Sequence, residues 1–106
     1  MASKFASNND NIKGLVLYAS YPSGDELIDS NLKVISIYGS DDGVADLDKI
    51  KNASFPENSS IFEIKDGNHA QFGDYGFQKG DNEATISSEE QIKETVKITV
   101  NMLEKL

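Results

Sequence analysis

The alternation of apolar and polar segments predicts three strands. Residues 12–20 form a near-continuous apolar run, IKGLVLYAS, which is typical of a strand covered on both faces. Residues 32–40, LKVISIYGS, predict a second strand that ends at a glycine and a serine. Residues 59–67, SSIFEIKDG, predict a third, and polar segments rich in Gly, Asn and Asp separate the three runs.

Helical patterns lie before, between and after these strands. A short apolar stripe at residues 1–6 indicates a first helix, and residues 46–52 predict a second one between the second and third strands. One helical turn is expected at residues 25–28, within an otherwise loop-like segment. Residues 70–85 are expected to form a long polar loop.

The last segment predicts the longest helix. Ser87 followed three residues later by Glu90 is a capping box, which marks a helix start. Apolar residues then recur at helical spacing, and we expect this stripe to face the core. Its members are Ile92, Val96, Val100, Leu103 and Leu106.

Strands that alternate with helices imply right-handed crossovers and a parallel sheet. The predicted fold class is therefore α/β, with a three-stranded parallel sheet and flanking helices. No linker or repeat divides the sequence, so residues 1–106 are expected to form one domain.

Charge and composition narrow the possible partners. The chain of 106 residues carries a net charge of −8, which argues against binding to nucleic acid or to an anionic membrane. It has no cysteine, so disulfides and thiolate chemistry are excluded. No apolar run approaches the roughly 20 residues of a membrane span. The first ten residues lack the apolar core of a signal peptide, so a cytoplasmic location is predicted.

Chemistry-bearing residues follow two successive strands. GSDDG comes after the second strand, and GNHAQ, which contains the single histidine His69, comes after the third. Because neighbouring parallel strands lie about 4.8 Å apart, the loops that leave them can touch. A carboxylate from Asp41 or Asp42 can then reach Nδ1 of His69, which would fix the imidazole tautomer and leave Nε2 as a general base.

An alternative interpretation carries equal weight on the pattern alone. A lone histidine after a strand is more often a surface or hydrogen-bonding residue, and a DDG sequence is most often a turn. A metal site is not predicted, because His69 with Asp41, Asp42 and Asp74 lacks any recognised ligand spacing. No cofactor is predicted either.

Several segments resemble the C-terminal half of α/β hydrolases, in particular small bacterial hydrolases of the dienelactone-hydrolase-like type. GLVLYASYP is similar to the strand after the nucleophile helix, and LKVISIYGSDDGV resembles the strand and acid loop with their Gly-x-x-Asp pattern. GNHAQFGDYG followed by GDNEATIS resembles the histidine loop. One departure is Asp66, which stands where this group often has glycine.

The resemblance implies roles for four residues. The Gly-x-x-Asp pattern begins at Gly39, so the catalytic acid would be Asp42, and His69 would be the base. Tyr21 and Gln71 would contact the substrate. The implied reaction is hydrolysis of a carboxylic ester through a serine ester.

The nucleophile of that reaction has no counterpart in the sequence. No Gly-x-Ser-x-Gly elbow occurs, and the opening MASKFASNND resembles the middle of the helix that normally follows it. The chain is therefore expected to be the C-terminal half of the fold, without nucleophile or oxyanion donors, and close to inactive alone. Ser20 is the best-placed hydroxyl, but ASYPSG is not a strand-turn-helix segment, so we do not expect it to replace the serine.

A missing half would also leave the first strand without a neighbour. Its residues 14–19 would present unpaired backbone groups, which template pairing with another chain. We expect a two-fold homodimer through this edge, or else pairing with a complementing N-terminal half. The alternative function is a noncatalytic, self-associating α/β module in which the acid and histidine form a structural hydrogen bond.

Overall fold

The computed structural model describes residues 2–8, 11–22, 27–28, 31–73, 76 and 79–106. The order of the helices and strands along these residues follows the sequence prediction, with two strands in succession after the first helix. They are α1 (Ala2–Ser7), β1 (Gly14–Tyr18), β2 (Lys33–Gly39), α2 (Leu47–Lys51), β3 (Ser59–Ile64) and α3 (Ser88–Glu104). A short 3₁₀ helix, Ala70–Phe72, lies within the segment expected to be loop. Of the helical turn predicted at residues 25–28, the first two residues lie outside the described residues, and residues 27–28 form a turn.

The strands form a parallel sheet in the order β1-β2-β3, as far as the described residues show. The α/β class and the parallel sheet are thereby confirmed. β2 lies in the centre and is almost entirely buried, which explains its near-continuous apolar sequence. The last residue of β2, Gly39, pairs with the last residue of β3, Ile64, so the loops that leave the two strands start side by side.

Two apolar clusters cover the two faces of the sheet. Successive residues of β2 point to opposite faces, so Val34 joins one cluster and Ile35 the other. The first cluster also contains Ala6, Leu17, Leu27 and Leu32, and the second contains Ile37, Ile64 and Met102. Ile98 packs on the second cluster, so α3 covers that face.

The expectation that the apolar stripe of α3 faces the core is wrong. Val96 is 53% exposed and Leu103 is 58% exposed, and the other three members are also on the surface. The helix turns Gln91, Thr95 and Met102 inward instead. Both polar residues are satisfied there, because Gln91 bonds the histidine loop and the Thr95 hydroxyl donates to the carbonyl oxygen of Gln91 at 2.8 Å. The start of the helix is as predicted, since Ser87 Oγ accepts the amide of Glu90 at 3.1 Å.

Two non-glycine residues have left-handed backbone conformations next to strand ends. Ala19, directly after β1, has a φ of 51°, and Asp66, shortly after β3, has a φ of 66°. Glycine adopts this conformation without steric cost, and Asp tolerates it better than most residues. The backbone of Asp66 is therefore in a conformation that glycine would adopt without strain.

Among the described residues, no helix has both the length and the apolarity that crossing a membrane requires.

Candidate active site

Two loops meet at the carboxyl edge of the sheet: the acid loop (residues 40–45) after β2 and the histidine loop (residues 65–69) after β3. Backbone hydrogen bonds join them, from the Ser40 amide to the Ile64 carbonyl at 3.0 Å and from the Asp41 amide to the Gly67 carbonyl at 2.8 Å. These bonds extend the parallel pairing beyond the strands. The two loops therefore leave the sheet as one unit.

The acid loop places Asp42 against the imidazole of His69. Oδ2 of Asp42 lies 2.8 Å from Nδ1 of His69, and the Asp42 side chain is 0% exposed whereas that of His69 is 26% exposed. The other oxygen, Oδ1, accepts the amides of Val44 and Ala45, each at 2.8 Å. Both oxygens are thus engaged, which fixes the orientation of the carboxylate.

This geometry defines the chemistry open to the imidazole. An ionised carboxylate only accepts hydrogen bonds, so Nδ1 of His69 carries the proton and Nε2 keeps a free lone pair. Among the described residues, Asp42 is the one hydrogen-bond partner of the His69 ring. The partly exposed ring can therefore accept a proton at Nε2 while Asp42 stabilises the resulting charge.

Two buried hydrogen bonds between the Asn68 backbone and the Gln91 side chain support the histidine loop. The Asn68 amide donates to Gln91 Oε1 at 3.1 Å, and Gln91 Nε2 donates back to the Asn68 carbonyl at 2.7 Å. The Asn68 side chain spans further, to the Asn82 carbonyl at 2.8 Å. Sequence reasoning missed this role of Gln91, because nothing in its pattern distinguishes it from a solvent-exposed helix position.

Gln71 uses its side chain within this support. Its Nε2 donates to Gln91 Oε1 at 2.9 Å and to the Ile86 carbonyl at 3.2 Å, and its Oε1 accepts the Ser88 hydroxyl at 3.2 Å. These bonds tie the 3₁₀ helix to the start of α3. They give Gln71 a structural role, and the substrate contact expected of it stays a prediction.

Tyr21 lies in a different groove. It lines a surface depression together with Pro22 and three residues of α2 and its C-terminal end, namely Asp48, Lys49 and Asn52. His69 is not among the described residues that line this groove. The structure therefore does not bring Tyr21 and the Asp42–His69 pair together in one pocket. The substrate contact expected of Tyr21 also stays a prediction.

Ser20 follows the left-handed Ala19 at the end of β1. A left-handed turn after a strand is a local feature that the sequence did not reveal. Among the described residues, however, no hydrogen bond joins Ser20 to His69. The described residues also contain no cluster of three or more side chains that would hold a metal ion.

Asp81 is a second buried carboxylate beside the pair, and sequence reasoning missed it. Burial alone would raise the pKa of Asp81, but hydrogen bonds from the backbone amides of Gly43, Ala70, His69 and Asn82 outweigh it and lower the pKa below its usual value. Asp81 is 8% exposed and accepts bonds from both loops of the site. The segment GDNEATIS contributes to the resemblance to a histidine loop, but the resemblance implied no role for Asp81.

Comparison with known proteins places the chain in a family. The model of the alpha/beta hydrolase family matches residues 1–93. No curated protein and no solved structure matches the chain significantly. The family match spans most of the chain, including the whole sheet, the acid loop and the histidine loop. The chain therefore belongs to the alpha/beta hydrolase family.

Proposed function

We propose that this chain supplies the acid and the base of a serine-dependent ester hydrolase, with His69 as general base and Asp42 as the residue that orients it. The observation that carries the proposal is the 2.8 Å contact between Asp42 Oδ2 and His69 Nδ1. It occurs at the carboxyl edge of a parallel sheet, where functional groups of α/β folds collect. The Gly-x-x-Asp spacing from Gly39 agrees with the same assignment.

In this proposal the nucleophile comes from a Gly-x-Ser-x-Gly elbow that is not part of the 106 residues. The serine oxygen attacks the ester carbonyl carbon, and its proton passes to Nε2 of His69. The imidazolium, stabilised by Asp42, then returns the proton to the leaving alkoxide. In the second half, His69 takes a proton from the water that attacks the acyl-serine carbonyl carbon. It returns this proton to the serine oxygen as the acyl–oxygen bond breaks, which releases the carboxylic acid and frees the serine.

Taken alone, the chain is proposed to be nearly inactive. It offers a histidine with a free Nε2, but the described residues show neither an activated serine nor a pair of oxyanion donors. Oxyanion donors each contribute a factor of about 10² to 10³ in rate. Hydrolysis by the chain should then remain near the level of free imidazole.

An activity assay with a covalent probe tests this proposal. We expect hydrolysis of p-nitrophenyl acetate close to the imidazole background, reduced further in His69→Gln, and no stoichiometric labelling by a fluorophosphonate. Enzyme-like turnover that Ser20→Ala abolishes would contradict the proposal and make Ser20 the nucleophile. The coding DNA upstream of Met1 offers a second test, because a Gly-x-Ser-x-Gly sequence there would supply the missing serine.

A noncatalytic, self-associating module is the second candidate function. The exposed apolar stripe of α3 favours it, because Thr99 of α3 contacts Tyr18 of β1, and β1 has no second strand neighbour among the described residues. In that case the Asp42–His69 contact serves only to hold two loops together. An unrelated sequence upstream of Met1 would favour this candidate over the first.

A further inference from the structure

We propose that Asp81 is a positioning residue of the site, which sets the distance between Asp42 and His69 by holding the acid loop and the histidine loop on a single carboxylate. This inference rests on the proposed function, in which the Asp42–His69 pair acts as acid and base. It assigns Asp81 no contact with substrate. The residue acts through the two backbone segments that it joins.

The hydrogen bonds of Asp81 reach three segments of the chain. Oδ1 accepts the amide of Gly43 from the acid loop at 2.9 Å, the amide of His69 at 3.3 Å and the amide of Asn82 at 2.9 Å. Oδ2 accepts the amide of Ala70 at 2.9 Å. The carboxylate therefore accepts four hydrogen bonds, three at Oδ1 and one at Oδ2.

The carboxylates of Asp81 and Asp42 accept hydrogen bonds from different backbone amides around the Asp42–His69 pair. In the acid loop, Asp81 takes the amide of Gly43, and Asp42 takes the next two amides. His69 also contacts both carboxylates, because its backbone amide donates to Asp81 and its ring nitrogen Nδ1 contacts Asp42. A shift of Asp81 would therefore move the backbone that carries both members of the pair.

Close packing leaves little room for the loops to adjust independently. A Cβ on Gly43 would lie 2.7 Å from the carbonyl oxygen of Gly80 and 2.8 Å from the amide nitrogen of Asn82. The acid loop thus touches the backbone on both sides of Asp81. Hydrogen bonds to a charged group in a buried position are stronger than neutral ones, so the loss of the charge should loosen this contact.

Nitrogen NMR of the single histidine tests the proposal in Asp81→Asn. In that variant the side chain can present an acceptor oxygen to one set of amides, while its NH₂ group opposes another. At a pH where the imidazole is neutral, we expect the Nδ1–H resonance of His69 to weaken or disappear and the ring nitrogen shifts to move toward a mixture of tautomers. A variant that only lost stability would keep the wild-type ring spectrum in its folded fraction.

Asp46→Asn is the matched control. Asp46 also accepts a backbone amide, that of Lys49 at 3.2 Å, but it does so at the exposed start of α2. Asn keeps the capping oxygen and removes only the charge, so this variant should leave the ring spectrum of His69 unchanged. The ring spectrum separates a positioning role from a general contribution to folding.

Two further variants, Gly43→Ala and Asp42→Asn, distinguish a failure of this inference from a failure of the proposed function. If Asp81→Asn does not fold, the same NMR measurement on Gly43→Ala tests the proposal. The added Cβ pushes the acid loop away from residues 80–82 without removing any hydrogen-bonding group. An unchanged His69 ring spectrum in the folded variant, Asp81→Asn or Gly43→Ala, would overturn the proposal. If Asp42→Asn changes the spectrum while these do not, this inference fails and the proposed function stands. If Asp42→Asn changes nothing, the proposed function itself fails.

Discussion

Gly39, the last residue of β2, packs against the backbone of Gly67 in the histidine loop. A Cβ on Gly39 would lie 2.5 Å from the carbonyl carbon and oxygen of Gly67 and 2.8 Å from the amide nitrogen of Asn68. Backbone atoms in this position cannot move aside as the end of a side chain can. The absence of a side chain at Gly39 therefore allows the histidine loop to cross the start of the acid loop.

Gly39→Ala should displace the histidine loop. Overpacking of this kind costs about 1–3 kcal/mol, which chemical denaturation would measure as a lower free energy of unfolding. Gly14→Ala is a matched control in β1, since the nearest atom to its Cβ would be the terminal methyl of Met102, which can move. An equal loss in both variants would contradict the interpretation of the Gly39–Gly67 contact.

Replacement of Asp66 should separate backbone strain from side-chain effects. Its φ of 66° favours glycine, so Asp66→Gly should leave the free energy of unfolding unchanged or raise it by up to about 1 kcal/mol. Asp66→Val should lower it by about 1–2 kcal/mol, because a β-branched residue is strained in this conformation. Equal stability of the glycine and valine variants would show that the conformation is not under strain.

Tyr38 should ionise late in a spectrophotometric titration. Burial, the 2.8 Å hydrogen bond that its hydroxyl donates to Glu63 Oε2, and the charge of Glu63 raise its pKa from 10.0 to about 12. The unfolded chain loses this proton first as the pH rises, so the stability that Tyr38 contributes is present below pH 10 and lost as the pH approaches 12.

Glu63→Gln should bring the titration of Tyr38 to lower pH, because it removes the neighbouring charge. Tyr38→Phe should remove the late phase from the titration. A wild-type curve without any phenol that ionises near pH 12 would contradict the pKa assigned to Tyr38.

The surface beside β1 leads to a prediction of self-association. Ile92, Val96, Thr99 and Leu103 follow one another along α3 at spacings of 4, 3 and 4 residues. Thr99 lies 3.0 Å from the hydroxyl of Tyr18, the last residue of β1. The exposed stripe of α3 therefore runs along the side of the molecule on which β1, among the described residues, has no second strand neighbour.

A second copy can cover both features at once, because a two-fold axis lets the same surface bury itself. Sedimentation equilibrium at micromolar concentration should give a dimer mass, and Val96→Glu should give a monomer. Asn101→Glu is the control, since it adds the same charge on the opposite side of α3. Val16→Lys is less informative, because Val16 packs against the core cluster under α3. A stable wild-type monomer would contradict the prediction, and binding to a separate hydrolase half would assign the surface to that partner.

The sequence predicted those parts of the structure that depend on local patterns. β2 is recognisable because a strand buried on both faces is apolar throughout. The pattern left Asp41 and Asp42 open as the acid in the loop that follows, and the resemblance to α/β hydrolases implied Asp42. The roles of Asp81 and Gln91 were not predicted, because these polar side chains are buried through hydrogen bonds to backbone groups that are far away in the sequence. Asp81 is 38 residues from Gly43, and no periodicity reports such a contact. For the same reason, the sequence predicted that the apolar stripe of α3 faces the core, whereas in the structure Gln91 faces it.

The central claim is that Asp42 holds His69 with its proton on Nδ1 and its Nε2 free. His69 is the only histidine, so ¹⁵N NMR of imidazole-labelled protein reports this one ring without assignment by mutation. At a pH where the ring is neutral, the wild type should show the Nδ1–H tautomer with a hydrogen-bonded Nδ1 proton. Asp42→Asn should abolish that signature, and Asp41→Asn should preserve it. An Nε2–H tautomer in the wild type, or a signature that depends on Asp41 instead of Asp42, would contradict the account.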